Sequence, residues 1–118
     1  MSYDIELIDP VTKECVELDA PHHMRGGTYA LGGTTMAHLN VTYNYCGIFR
    51  RVLGGEGIRT IYGMSGAESI PLLEGAAAQL GDDIDQNYWK ATDGNAKRAL
   101  VQLAALAKMR PDAVWDGD

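Results

Sequence analysis

With 118 residues, the chain has room for one hydrophobic core and not for two, so a single domain over 1–118 is expected. An apolar fraction of 46% beside 22% charged residues excludes a disordered chain, and a formal net charge of −6 excludes a general nucleic-acid binder, which needs Lys and Arg clustered against phosphates. No apolar run approaches the roughly 18–20 residues that span a bilayer, and two cysteines are too few for a disulfide framework, so a cytoplasmic protein with no membrane contact is expected.

The elements follow in chain order. Residues 3–8, YDIELI, alternate polar and apolar, and residues 14–18, ECVEL, do so again after the turn-forming DPVTK. They predict an N-terminal β-hairpin with Ile5 facing the core and the glutamates facing water. APHHMRGGTYALGGT then holds too many glycines for a regular element and reads as a long loop, of the kind that carries function in a small domain.

From Thr35 to about Leu53 the apolar residues Leu39, Tyr43 or Cys46, Phe49 and Val52 or Leu53 recur at helical spacing. Thr34 or Thr35 would cap this helix and GGEG at 54–57 would stop it. IRTIYG at 58–63 reads as a short third strand or an extended bridge. In SGAESIPLLEGAAAQLG, Ser65 and Glu68 stand at capping-box spacing, Ser69 is a competing cap because Pro71 belongs near a helix start, and Gly81 closes the far end. DDIDQNYWKAT is a polar connection, and a last helix runs from about Asp93 to Met109 with Leu100, Leu103 and Leu106 inward. Pro111 makes 111–118 a C-terminal extension. The fold class is therefore α+β, with a hairpin, and a third short strand if 58–63 forms one, packed on about three helices.

Two features of this order point to a ligand. A glycine-rich segment that feeds a helix start exposes backbone N–H groups and the positive helix end, which favour an anion. Arg25, Gly26, Gly27, Thr28, Tyr29, Gly32, Gly33 and Thr34 form that cradle, although RGGTYALGGTT matches neither the P-loop nor the dinucleotide fingerprint. On the helix expected next, Asn40 and Asn44 lie four residues apart on one face, and paired amides suit a nucleobase edge. Trp89, Asn95 and Arg98 surround the second helix start and complete the candidate set, with the solvated or core role of each as the alternative.

Other chemistries find less support. His22, His23, His38, Cys15 and Cys46 show no zinc-motif spacing, so no metal is expected. Asp83, Asp85 and Asn87 imitate half a calcium loop, but Tyr88 replaces its glycine and Gly94 its bidentate glutamate. Ser65 lacks the paired glycines of a nucleophile elbow. An acid–base enzyme using His22 or His23 with Glu56 or Glu68, acting on a nucleotide or sugar, is the alternative reading. A virion or protein-interaction component is a second. Neither reading, nor the first, calls for a cofactor.

The runs PHHMRGGTYALGGTTMAHLNVTYNY, GIRTIYGMSGAESIPLLE and NYWKATDGNAKRALVQLAALAKMRPDAVWDGD resemble a family of small proteins encoded by tailed bacteriophages and prophages, over nearly the whole chain from His22. A wider phage-borne set is similar only in an N-x-T-x-N segment like Asn40, Thr42 and Asn44 and in a later tryptophan and Gly-Asn pair like Gly94 and Asn95. The resemblance implies a setting, the infected host cell, rather than a reaction. Small acidic phage proteins include some that sequester nucleotide second messengers, often as homo-oligomers. By that analogy of context the expectation is a binder of an anionic nucleotide-derived signal, acting in counter-defence.

Overall fold

The computed structural model describes residues 1–23 and 33–118, arranged as an α+β domain. Arg25, Gly26, Gly27, Thr28, Tyr29 and Gly32 of the expected cradle lie outside the described residues. Strand β1 spans Ser2–Ile8, β2 Glu17–His22, β3 Thr34–Met36, β4 His38–Thr42 and β5 Val114–Gly117; helix α1 spans Cys46–Leu53, α2 Gly66–Ala78 and α3 Asp93–Met109. No described helix is long and apolar enough to cross a membrane.

β1 is the centre of a three-stranded antiparallel sheet, with β4 on one side and β5 on the other. Its alternation buries Tyr3, Ile5 and Leu7 while Asp4 points outward, as the period of two requires. The hairpin turn after β1 closes through Asp9, whose N–H donates to the Glu14 carbonyl and whose carboxylate accepts from the Val11 and Thr12 amides. The chain then bridges once, at Ile8 and Cys15, before β2 leaves to pair with β3 in a second sheet.

The helix expected over 35–53 begins only at Cys46. Residues 34–42 are strands β3 and β4, and Tyr43–Tyr45 is a single 3₁₀ turn capped by the Thr42 hydroxyl. Leu39, the first residue of the helical run, also alternates with Val41, both inward, and β-branched Val41 and Thr42 favour the extended form once β1 is there to pair with. Asn40 and Asn44 therefore do not share a helix face. Of residues 58–63, expected as a short strand or an extended bridge, 58–61 belong to a second 3₁₀ turn, Gly57–Ile61.

Both later helices are set by local signals. Ser65 caps α2 with the reciprocal Ser65–Glu68 pair in place; Ser69, the competing cap, is buried inside the helix, which ends at Ala78, ahead of Gly81. Thr92 caps α3 by accepting from the Asn95 amide, and Lys108 sits in the last turn, where a cation complements the dipole. The residues expected as a C-terminal extension instead form β5. Trp115 of that strand is 1% exposed and donates from its indole nitrogen to Ser69 Oγ at 2.7 Å, tying the sheet to α2. The core runs from the inner sheet face through Phe49, Ile58 and Ile61 to Leu73, Leu100, Leu103 and Leu106.

Candidate functional site

The connection between α2 and α3, residues 82–92, has no regular secondary structure, yet it is held closely. Its backbone needs partners, and side chains supply them. The carbonyls of Asn87, Tyr88, Trp89 and Lys90 accept in turn from Asn95 Nδ2 (3.1 Å), the Tyr45 hydroxyl, Asn44 Nδ2 (2.7 Å) and Asn95 Nδ2 again (3.0 Å). The Asn95 carbonyl oxygen accepts from the Asp85 amide at 3.0 Å, so one side chain, 1% exposed, fixes three points of the segment. The Tyr88 hydroxyl reaches back to β4, accepting from the Thr42 amide at 2.8 Å. Gly94 permits the close fit: a Cβ there would lie 2.5 Å from the Ile84 nitrogen.

Held this way, Ile84–Trp89 and Arg98 enclose a depression of about 450 Å³. Trp89 is 50% exposed and stacks edge-on against Tyr88, with ring centroids 5.0 Å apart. Arg98, one α3 turn beyond Asn95, makes no salt bridge among the described residues. Its guanidinium favours the ionised forms of the nearby Tyr45 and Tyr88 phenols, but burial dominates and raises both, Tyr45 to about 12. Asp85 on the rim is held below the usual carboxylate range by the Asn87 amide and then by Lys90, whose ammonium lies 3.4 Å away. The depression thus offers one exposed indole, one guanidinium whose charge is not neutralised by a direct pair, and an acid already matched by a lysine.

The structure brings together Trp89 and Arg98 of the candidate set and places Asn95 and Asn44 beneath them, with their amides used by the protein itself. Asn40 is elsewhere. It lies opposite Asp4 on the outer sheet face, donating to Ser2 Oγ at 2.7 Å and to Asp4 Oδ1 at 2.8 Å. Gly33, at φ 85°, and Thr34 precede β4 at the second sheet, and a Cβ on Gly33 would lie 2.7 Å from the His22 carbonyl oxygen.

His22 and His23 occupy the β2 end of that second sheet. His22 is buried, with Nε2 donating to the Met36 carbonyl at 2.7 Å, and it borders a depression of about 470 Å³ shared with Glu17, Asp19, Met109 and Arg110. Glu68 is committed to the α2 cap and is not part of that depression. No cluster of histidine, cysteine or carboxylate groups suited to a metal occurs among the described residues. The half calcium loop has other uses: Asp83 caps the Gly94 amide and Asn87 accepts from the Trp89 amide.

Sequence reasoning missed Tyr45 and Tyr88 as supports of the site. Both stand among aromatic residues that read equally well as core, and only the fold shows the Tyr45 hydroxyl turned to the connection and the Tyr88 hydroxyl turned from it to β4. It also missed Gln86, which lines the depression from a stretch with no periodicity. No protein-family model, curated protein or solved structure matches the chain.

Proposed function

We propose that the protein is a non-enzymatic binder of a small anionic ligand carrying a flat ring, of the nucleotide class, held between Trp89 and Arg98. The observation that carries this reading is the meeting of a half-exposed indole and an ion-pair-free guanidinium in one depression of about 450 Å³, a size that suits a mononucleotide. An exposed indole presents a stacking face to any base, worth roughly 1–3 kcal/mol, and a guanidinium holds phosphate oxygens in a two-pronged geometry.

The rigid support favours binding. With the backbone of 85–90 already fixed by Asn44, Tyr45 and Asn95, little ordering cost remains when a ligand arrives. Among the described residues the depression is lined by groups that suit stacking and charge pairing, Trp89 and Arg98, and the reading is sequestration. The phage resemblance gives the setting: an infected cell, where a small protein that removes a nucleotide signal would serve counter-defence.

A thermal-shift screen of nucleoside mono-, di- and cyclic phosphates tests the proposal. A ligand at a hundredfold excess over its Kd raises stability by about 2.7 kcal/mol, and Arg98→Gln, at the same ligand concentration, should cut that shift to about half or less. Absence of any shift across the series, or a shift that Arg98→Gln leaves unchanged, removes the reading.

A further inference from the structure

A third, smaller pocket lies beside the first turns of α1. Tyr3, Tyr43, Cys46, Arg50 and Arg59 enclose about 140 Å³, well below the roughly 300 Å³ of pockets that bury drug-sized ligands. It shares no lining residue with the Trp89 depression.

Arg59 is fixed before any ligand arrives. Its guanidinium lies 5.1 Å from the Tyr3 ring centroid and 5.7 Å from that of Tyr43, and its Nε donates to the main-chain oxygen of Asp118 at 2.7 Å. One outer nitrogen reaches the Tyr43 hydroxyl at 3.4 Å. Arg50 enters the same pocket from α1. Neither arginine forms a salt bridge among the described residues, which is unexpected for two like charges in a chain of net charge −6.

Tyr3 supplies the independent sign of a ligand. The residue is 5% exposed and lines the pocket, and its hydroxyl makes none of the hydrogen bonds found among the described residues. Tyr3 lines the pocket together with Cys46, Arg50 and Arg59, and burial raises its pKa, so it remains a donor at neutral pH. A hydroxyl open to the pocket and unused by the protein, beside two cations, fits an acceptor that brings negative charge and several oxygens.

We propose that Tyr3, Arg50 and Arg59 form a binding site for a tetrahedral oxyanion of the phosphate class, either free phosphate or the terminal phosphate of a monoester. The Tyr3 hydroxyl and the two guanidinium edges donate to its oxygens. The pocket's small volume admits the oxyanion and leaves the remainder of a monoester outside.

Calorimetric titration of the full chain with inorganic phosphate and, separately, with a simple alkyl phosphate tests the site. Saturable binding of at least one is expected. Arg50→Gln should weaken it by at least tenfold and Tyr3→Phe by about fivefold, while Arg51→Gln, the same charge change one residue on, should leave it within about twofold. Arg50 is exposed and Tyr3→Phe keeps the ring, so both variants should fold, as unchanged melting would verify. Binding of the alkyl phosphate alone identifies a monoester as the ligand, and of inorganic phosphate alone the free ion. No saturable heat with either, wild-type affinity in Arg50→Gln and Tyr3→Phe, or an equal loss in Arg51→Gln overturns the proposal.

Discussion

Asn44 donates from its side-chain amide to the backbone carbonyl of Trp89 at 2.7 Å, joining residues 45 positions apart. The bond reverses the role that the sequence suggests for this asparagine. Its amide faces a carbonyl of its own chain, and what it holds in place is the tryptophan available to a ligand.

Asn95 carries more of the same work and gives the sharpest stability test. Asn95→Ala removes the donor to the Asn87 and Lys90 carbonyls and the acceptor of the Asp85 amide, in a site that water does not reach. A loss of about 2–3 kcal/mol in urea unfolding is expected. Asn40→Ala, whose partners lie on the exposed sheet face, should cost less than about 1 kcal/mol.

Ser69 joins β5 to α2, and its hydroxyl both donates to the Gly66 carbonyl and accepts from the Trp115 indole. Ser69→Ala should cost about 1–3 kcal/mol, because a buried indole N–H is left without a partner. Ser65→Ala, which removes only the cap at the exposed start of α2, should cost about 1 kcal/mol. Equal losses in the two variants, measured by chemical unfolding, would contradict this division.

Acid should destabilise the protein through Asp93 and Glu68. The Arg51 side chain, 2.6 Å from Asp93, holds that carboxyl below 3.8, and the Ser65 amide holds Glu68 below 4.5. Folded values below the unfolded ones mean stability that is fully present above the unfolded pKa and lost as pH falls through the folded one. Melting temperature should therefore hold from neutral pH and decline below about pH 4.5, and the gap between wild type and Asp93→Asn should close in the same window. A gap that persists at lower pH would show that the Arg51 pair is not its source.

Cys15 should react slowly. Burial, and then the Glu6 carboxylate, raise its thiol from 9.0 to about 11, so the thiolate is scarce at neutral pH. Alkylation at Cys15, followed by peptide mass spectrometry, should accelerate about tenfold per pH unit up to about 11. A plateau near 9 would place the thiol in water.

The sequence was legible where structure is local. The Ser65–Glu68 box, and an apolar face through Leu100, Leu103 and Leu106, define α2 and α3 within one stretch of chain each. Strands β4 and β5 were not, because their identity depends on β1: Leu39 fits both the helical run to Phe49 and the alternation with Val41, and Val114–Gly117 is too short to show a period. At the site, Trp89 and Arg98 were visible because an indole and a cation near a helix start are unusual in polar sequence. The direction of the Asn44 and Asn95 amides was not, since an asparagine that binds a ligand and one that binds a carbonyl of its own chain look alike until the fold decides.

The central claim, that Trp89 and Arg98 together hold an anionic ring-bearing ligand, is tested most directly by tryptophan fluorescence. Trp115 is buried and Trp89 half exposed, so a ligand stacking in the depression changes the Trp89 emission alone. Titration with nucleotides should give saturable quenching that disappears in Trp89→Phe and weakens at least tenfold in Arg98→Gln. No saturable quenching with any nucleotide, or quenching that Arg98→Gln leaves unchanged, would contradict the account.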